Sequence, residues 1–474
     1  MIDILKRHSG LYTDHYQLTM AQGYLLSNRH EVRANFDYFF RKNPFNGAYV
    51  VFAGLSDLID LLENLHFSED DCHYLESIGF NPKFTEYLRG FRFNGNLFAP
   101  AEGEVVFPYE PIIRIEGNIL ESQIIETALL NIINFESLIA TKAHRIRMIA
   151  GNRVLVDFGM RRAQGLGSIH ASKAAIIGGF NSTSNVYSAF MFGLRSTGTQ
   201  AHSWVQSFDD ELSAFRAFAQ AFPNQCILLV DTYDTLKTGI PNAITVAKEM
   251  EAAGHRLLGI RLDSGDLAYL SKRARKMFDD AGLHYVKIAC SNQLDEYVIR
   301  SLLNQGAPID FFGVGTRLAT GLDDAVLDGV YKLSASDGKP RLKISENIEK
   351  MIIPSIKKVF RFIDEDGKLY ADGIVLEHET SIDTIFHPFQ TDKSSDVSKL
   401  QFRPLLQQMM NQGKRTMALP TATEAATYTK VSTAQLPDEH KRLEFPHIYK
   451  VGISRNLLDL RTSIVNDIRN KLRK

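Results

Sequence analysis

The sequence predicts an α/β fold: an irregular, incomplete α/β barrel with an N-terminal α/β domain and a C-terminal extension. Short apolar runs of strand length recur through the middle of the chain, at Val154-Leu155-Val156-Asp157-Phe158, Ile227-Leu228-Leu229-Val230-Asp231, Leu257 to Leu262, Tyr285-Val286-Lys287-Ile288-Ala289 and Asp310-Phe311-Phe312-Gly313-Val314. Stretches with 3.6-residue apolar periodicity separate most of them, as over Asn242 to Ala253, Leu267 to Ala281 and Leu294 to Gln305. Repeated strand-helix units imply a parallel sheet, either a closed barrel or an open doubly wound sheet. The barrel is favoured. An open sheet usually carries G-x-G-x-x-G in its first strand-helix turn, whereas the nearest approach here, Gly313-Val314-Gly315-Thr316-Arg317-Leu318, falls in the last unit and lacks the third glycine.

In chain order, residues 1–120 read as an N-terminal α/β domain. Within it, Leu97 to Asn118 alternates short apolar runs with Pro100, Gly103, Pro108, Pro111 and Gly117, as small β structure does. Glu121 to Ala150 is helix-rich and leads into the first barrel strand, so 121–335 is assigned to the barrel domain. Residues 336–474 form the C-terminal region, which is placed to complete the N-terminal domain. In it, Ser336-Asp337-Gly338-Lys339-Pro340 and Asp364-Glu365-Asp366-Gly367-Lys368 are turns between short strands. Gln390 to Ser398 reads as a polar linker before a helical tail.

At 474 residues the chain is long enough for two or three domains, and its net charge of -1 gives no global attraction to nucleic acid or to an anionic membrane. Three cysteines without CxxC spacing indicate neither a disulfide framework nor a zinc site. The N-terminus lacks the pattern of a secretory signal, and no apolar run reaches spanning length. A cytoplasmic protein is expected.

The most informative stretch is Leu257-Leu258-Gly259-Ile260-Arg261-Leu262-Asp263-Ser264-Gly265-Asp266-Leu267, where a buried strand ends in charge. Alternation puts Arg261 and Asp263 on one side of the pleat at the strand's carboxyl end, with Ser264 or Asp266 placed to cap the next helix. In parallel α/β folds ligands sit at that end. A guanidinium beside a carboxylate could equally do no more than pair with it.

Four further strand-end loops repeat the pattern. Asp157 to Gly165 carries Arg161 and Arg162, whose forked donors suit phosphate oxygens. Arg195-Ser196-Thr197-Gly198-Thr199-Gln200-Ala201-His202-Ser203 is a hydroxyl- and glycine-rich turn leading to a histidine. Asp231-Thr232-Tyr233-Asp234-Thr235 offers oxygen ligands for ribose hydroxyls or magnesium. Gly313-Val314-Gly315-Thr316 presents backbone amides to a phosphate. No G-x-S-x-G elbow, P-loop, H-E-x-x-H helix or EF-hand loop occurs. The inventory suits a phosphorylated sugar with magnesium and leaves the reaction class open.

Five motifs in order, Leu11-Tyr12-Thr13-Asp14-His15-Tyr16-Gln17, Phe39-Phe40-Arg41-Lys42-Asn43-Pro44-Phe45, Gly198 to Ser203, Arg261 to Leu267 and Gly313 to Thr316, together resemble nicotinate phosphoribosyltransferase. The first departs from the family pattern, which tends to be apolar where His15 stands. The resemblance implies condensation of nicotinate with phosphoribosyl diphosphate to nicotinate mononucleotide and diphosphate, coupled to ATP hydrolysis through a phosphohistidine. It also implies an irregular barrel and a homodimer with shared sites. Carried over residue by residue, Tyr16 stacks on the pyridine, Thr199 and Arg261 meet nicotinate, His202 carries the phosphoryl group and Thr316 binds the 5-phosphate beside Gly315. Asp231 and Asp263 are added as ribose or Mg2+ contacts, and Arg161 and Arg162 as diphosphate contacts. The metal ligands themselves are not assigned. Two other readings stand beside this one: nicotinamide phosphoribosyltransferase, whose resemblance would imply an acidic residue where Gln200 stands, and a catalytically silent nucleotide-binding regulator.

Overall fold

A computed structural model describes residues 6–344 and 352–472. The chain divides into two compact units, one of Met1–Leu138, Val326–Pro420 and Thr427–Lys474, the other of Ile139–Ala325 and Thr421–Ala426. The division falls inside the long helix Glu126–Ala150.

The second unit holds a six-stranded parallel sheet: β1 (Val154–Asp157), β2 (Ser182–Thr183), β3 (Ile227–Leu229), β4 (Gly259–Leu262), β5 (Lys287–Ser291) and β6 (Phe311–Val314). The hydrogen-bonded order is β2-β1-β6-β5-β4-β3, and every pair is parallel. Ser196 bridges to Thr183 and extends the β2 edge. All five apolar runs form strands, because each places Val, Ile, Leu or Phe side chains in the buried layer. The polar Ser182–Thr183 strand has no apolar signature, and its side chains serve hydrogen bonds instead.

The expected helices form as Ile240–Ala252, Leu267–Asp280 and Glu296–Asn304. Asp266 caps the second through the Tyr269 amide, and Asp295 caps the third through the amides of Tyr297 and Val298. Gly239, just before the first, passes so close to β3 that a Cβ there would lie 1.9 Å from the Val230 carbonyl oxygen. That contact ties the helix start to the strand end carrying Asp231.

The first unit contains two larger sheets. A seven-stranded antiparallel sheet runs Lys339–Pro340, Gly329–Ser336, Arg33–Phe40, Ile113–Asn118, Asn96–Ala99, Gln407–Asn411 and Lys414–Arg415. It packs into a core with Phe36, Tyr38, Leu58, Phe84, Leu97, Ile115, Leu120 and Tyr331. A six-stranded mixed sheet orders Ser394–Asp396, Thr384–Phe386, Lys450–Ile453, Leu369–Leu376, Lys357–Ile363 and Gln401–Pro404. The stretch Gln390 to Ser398 therefore differs from the expected linker. It holds the edge strand Ser394–Asp396, and three further short strands follow before helix Ala422–Ala434. Its polarity reflects an edge with largely exposed side chains.

Buried charges tie these segments together. Arg361 is fully buried against Asp372 at 2.6 Å and Glu104 at 2.9 Å, and Arg403 reaches Glu104 at 2.7 Å. Burial pushes the Glu104 carboxyl up, but Arg361, Arg403 and hydrogen bonds outweigh it and bring the group down to about 2.

Candidate active site

At the carboxyl end of the parallel sheet, neighbouring strands deliver charged side chains to one cluster. The backbone of β3 continues into Val230, whose amide donates to the Arg261 carbonyl at 3.2 Å, so Asp231 emerges beside Asp263. Asp231 Oδ2 accepts from the Asp263 amide at 2.8 Å and from Ser264 Oγ at 2.7 Å. Its other oxygen, Oδ1, lies 3.2 Å from Nε2 of His202. Asp231 is buried while His202 is 37% exposed, so the carboxylate stands behind an imidazole that faces outward. Asp263 accepts from the hydroxyl of Ser291 at the end of β5.

Arg261 makes its hydrogen bonds to the loop before His202 and not to Asp263. Its Nη1 donates to the Thr199 hydroxyl and its Nη2 to the Gln200 carbonyl at 3.0 Å, anchoring the loop that precedes His202. Its Nε is buried with no hydrogen-bond partner among the described residues, and no carboxylate pairs with the guanidinium there. Burial pulls Arg261 below its ordinary pKa, Asp263 and Asp231 oppose that, and Arg161 adds to the depression. The cluster thus holds a desolvated cation with a donor to spare. Of the two readings the sequence left open for Arg261, simple pairing with Asp263 is not the one formed; the hydrogen bonds go to the loop.

Asp157 at the end of β1 accepts from Ser172 and Thr183 hydroxyls and the Gly159 amide, each at 2.7 Å. Burial raises its carboxyl, and these hydrogen bonds oppose the rise. They fix the start of a turn closed by Arg162 and Ala163 amides on the Gly159 carbonyl, from which Arg161 and Arg162 project exposed. Past β6, Gly315 precedes the short helix Thr316–Ala319, and a Cβ at Gly315 would lie 3.2 Å from the Phe158 carbonyl oxygen. Gly313 lies inside the strand, with the Phe158 ring 2.3 Å from where its Cβ would stand; its glycine serves packing. Arg317 is held by Asp295 at 2.8 Å.

Tyr16 belongs to the other unit. It is the second residue of helix His15–Leu26 and is 49% exposed; burial, then Glu126 and Asp14, raise its phenol.

Family models match three consecutive parts of the chain: the nicotinate phosphoribosyltransferase N-terminal domain over residues 11–134, the nicotinate phosphoribosyltransferase family over 154–377 and its C-terminal domain over 356–461. Nicotinate phosphoribosyltransferase of Bacillus subtilis is 43% identical over 98% of this chain and 96% of its own. The chain belongs to the nicotinate phosphoribosyltransferase family. The Dictyostelium discoideum nicotinate phosphoribosyltransferase is 35% identical over 95% of this chain and 87% of its own. A crystal structure of human nicotinic acid phosphoribosyltransferase aligns with a TM-score of 0.85 at 32% identity, covering 95% of this chain and 99% of that one.

Within this nicotinate phosphoribosyltransferase chain, the structure brings together Thr199, His202, Asp231, Arg261 and Asp263. Arg161, Arg162, Gly315 and Thr316 follow the ends of β1 and β6, beside one another in the same sheet. Sequence reasoning missed Ser264 and Ser291 as supports of the two aspartates. Ser291 was within reach, since the strand through Ala289 continues over buried Cys290 and ends on it. Also missed was a cleft of about 850 Å³ on the first unit, with Arg41, Lys42, Lys393 and Lys450 in its lining. Buried Arg41 Nε and Asn43 Oδ1 lack hydrogen-bond partners among the described residues. Only the Phe39 to Phe45 motif pointed toward it.

Proposed function

We propose that this chain condenses nicotinate with phosphoribosyl diphosphate to give nicotinate mononucleotide and diphosphate, with ATP hydrolysis coupled through a phosphohistidine at His202. The observation that carries the reading is Arg261: a buried cationic donor, unpaired with any carboxylate among the described residues, one loop away from a His-Asp pair. A carboxylate on an aromatic ring is the ligand group that would complete it.

In this reading Arg261 and Thr199 hold the nicotinate carboxylate, and Tyr16 supplies the pyridine stack. The pyridine nitrogen bonds to the anomeric carbon as the bond from that carbon to diphosphate breaks. Positive charge builds on the ribose, so positioning of the nitrogen and neutralisation of the leaving group do the work. Arg161 and Arg162 are the diphosphate contacts, and Thr316 beside Gly315 takes the 5-phosphate. Asp231 acts on His202 rather than on ribose: its carboxylate at Nε2 favours the proton there and leaves the Nδ1 lone pair to attack the γ-phosphorus of ATP. The N–P bond forms as ADP leaves, and water later releases phosphate.

The donor set suits Mg2+. Asp263 gives one carboxylate oxygen to Ser291 and keeps the other without a hydrogen-bond partner among the described residues, a hard oxygen of the type this ion takes alongside substrate phosphates. Bound there, the ion would supply charge neutralisation to the diphosphate.

Several coarser findings support finer readings. The parallel ladder, extended by Ser196, fits an irregular and incomplete barrel, with segment 121–335 as the site-bearing domain. No helix among the described residues is long and apolar enough to cross a membrane, in keeping with a cytoplasmic enzyme. A homodimer with shared sites completes the proposal.

The test is product analysis with purified protein, labelled nicotinate or nicotinamide, phosphoribosyl diphosphate and magnesium, with and without ATP. Nicotinate mononucleotide formed faster with ATP is the expected result. Preference for nicotinamide, or no product from either pyridine, overturns it.

A further inference from the structure

We infer that the side-chain amide of Gln200 is a further nicotinate-binding group, donating from Nε2 to the carboxylate that Arg261 holds. This rests on the reading of Arg261 given above and adds a second recognition residue to the same site.

The observation is an unusual one for a buried amide. Gln200 is only 7% exposed, yet both Oε1 and Nε2 are buried without a hydrogen-bond partner among the described residues. Folded proteins pair nearly all such atoms, and an amide with both ends unpaired destabilises the free protein, which is tolerable where a ligand completes it. Position supplies the second argument. Gln200 follows Thr199, which binds Arg261 Nη1, its own carbonyl binds Nη2, and it lies two residues before His202. The loop therefore covers the two Nη ends of the guanidinium with the Thr199 hydroxyl and the Gln200 carbonyl. The unpaired polar atoms of these two residues are Arg261 Nε and the Gln200 amide.

A carboxylate has two oxygens and only accepts, so it can take Arg261 Nε and Gln200 Nε2 at once. A carboxamide offers a single, uncharged acceptor oxygen in place of two anionic ones, and brings an NH2 donor that the cation repels. Gln200 thereby adds to acid recognition without carrying charge, and it leaves the Arg261 cation unneutralised, as an acidic side chain at this position would not.

The test compares Gln200→Met, similar in volume and without amide atoms, with Gln200→Glu, which keeps the shape and replaces the donor by an acceptor. Kinetics are read for nicotinate and for phosphoribosyl diphosphate, alongside unfolding temperature with and without nicotinate. For Gln200→Met we expect roughly a tenfold loss of kcat/KM for nicotinate with an unchanged KM for the ribosyl donor, the size of losing one hydrogen bond to a charged group. Without ligand it should unfold at the same temperature as the parent or higher, because unpaired buried atoms have been removed, while the shift induced by nicotinate shrinks. Gln200→Glu should lose at least a hundredfold with nicotinate, its carboxylate pairing with Arg261 and repelling the substrate. A Gln200→Met enzyme that uses nicotinate as well as the parent does overturns the proposal. So does one that unfolds earlier and loses activity toward both substrates equally, which marks a structural role. Failure of the underlying reading looks different: Arg261→Ala would then leave the acid preference intact.

Discussion

Removing the Arg261 guanidinium should change which pyridine the enzyme accepts more than it changes the enzyme's competence. In Arg261→Ala two protein contacts go, to Thr199 and to the Gln200 carbonyl, and so does the buried Nε that has no protein partner. The protein contacts are lost for every substrate and cancel in the comparison of nicotinate with nicotinamide. The charge contact does not cancel. Truncating a buried hydrogen-bonded charge pair costs about 2–5 kcal/mol, whereas a neutral hydrogen bond contributes about 0.5–1.5 kcal/mol. The difference, ~1.5–3.5 kcal/mol, corresponds to a fall of roughly 10- to 350-fold in the kcat/KM ratio of acid to amide. Competition between the two pyridines at saturating ribosyl donor measures the ratio directly. Arg261→Lys, which keeps the charge and loses the fork, should recover only part of it. An unchanged ratio in Arg261→Ala, or damage confined to the KM of the ribosyl donor, would refute acid recognition and leave the residue as an anchor for the 199–200 loop.

Further outcomes follow from other parts of the structure. Asp231→Asn removes the charge behind His202 and, with its one oxygen taken by the Asp263 amide and Ser264 hydroxyl, turns an NH2 donor toward Nε2, which disfavours the proton there. It should cut ATP-stimulated turnover about 100-fold while ATP-independent turnover changes little, and equal losses in both would contradict the assignment. Gly313→Ala drives a methyl into the Phe158 ring and should destabilise by about 1–3 kcal/mol in thermal unfolding, with no change meaning that the ring moves freely. The Glu104 carboxyl, at about 2 in the folded protein against 4.5 unperturbed, contributes stability that is complete above pH 4.5 and is lost as pH falls from there toward 2. Glu104→Gln should therefore remove about 3 kcal/mol at neutral pH together with that part of the acid dependence, read by denaturant unfolding across pH.

What sequence alone revealed, and what it hid, divides by range of interaction. Charges terminating an apolar run mark the end of β4, and the spacing to Asp266 marks the helix cap, because both depend on residues a few positions apart. The partner of Arg261 depends on a loop some sixty residues upstream. Spacing alone therefore left pairing with Asp263 open as an alternative, whereas the guanidinium reaches Thr199 and Gln200. Ser182–Thr183 carries no apolar periodicity, so a strand made by hydrogen bonding and by the Asp157 contact had no signal to detect. Asp231 was recognisable as a strand-end acid, but its service to His202 appears only when β3 and the 195–203 loop are seen together. The Ser394–Asp396 strand read as linker because at a sheet edge solvent, and not a core, determines which side chains are used.

The central claim is that His202 carries the phosphoryl group on Nδ1, with Asp231 behind Nε2. The most direct measurement incubates the protein with γ-labelled ATP and magnesium, then maps the label by mass spectrometry and assigns the phosphohistidine isomer by 31P NMR. The expected result is a base-stable, acid-labile label on His202 at Nδ1, discharged when nicotinate and phosphoribosyl diphosphate are added and absent from His202→Ala. A label on another residue, a label that persists in His202→Ala, or ATP-stimulated turnover with no phosphohistidine formed would contradict it.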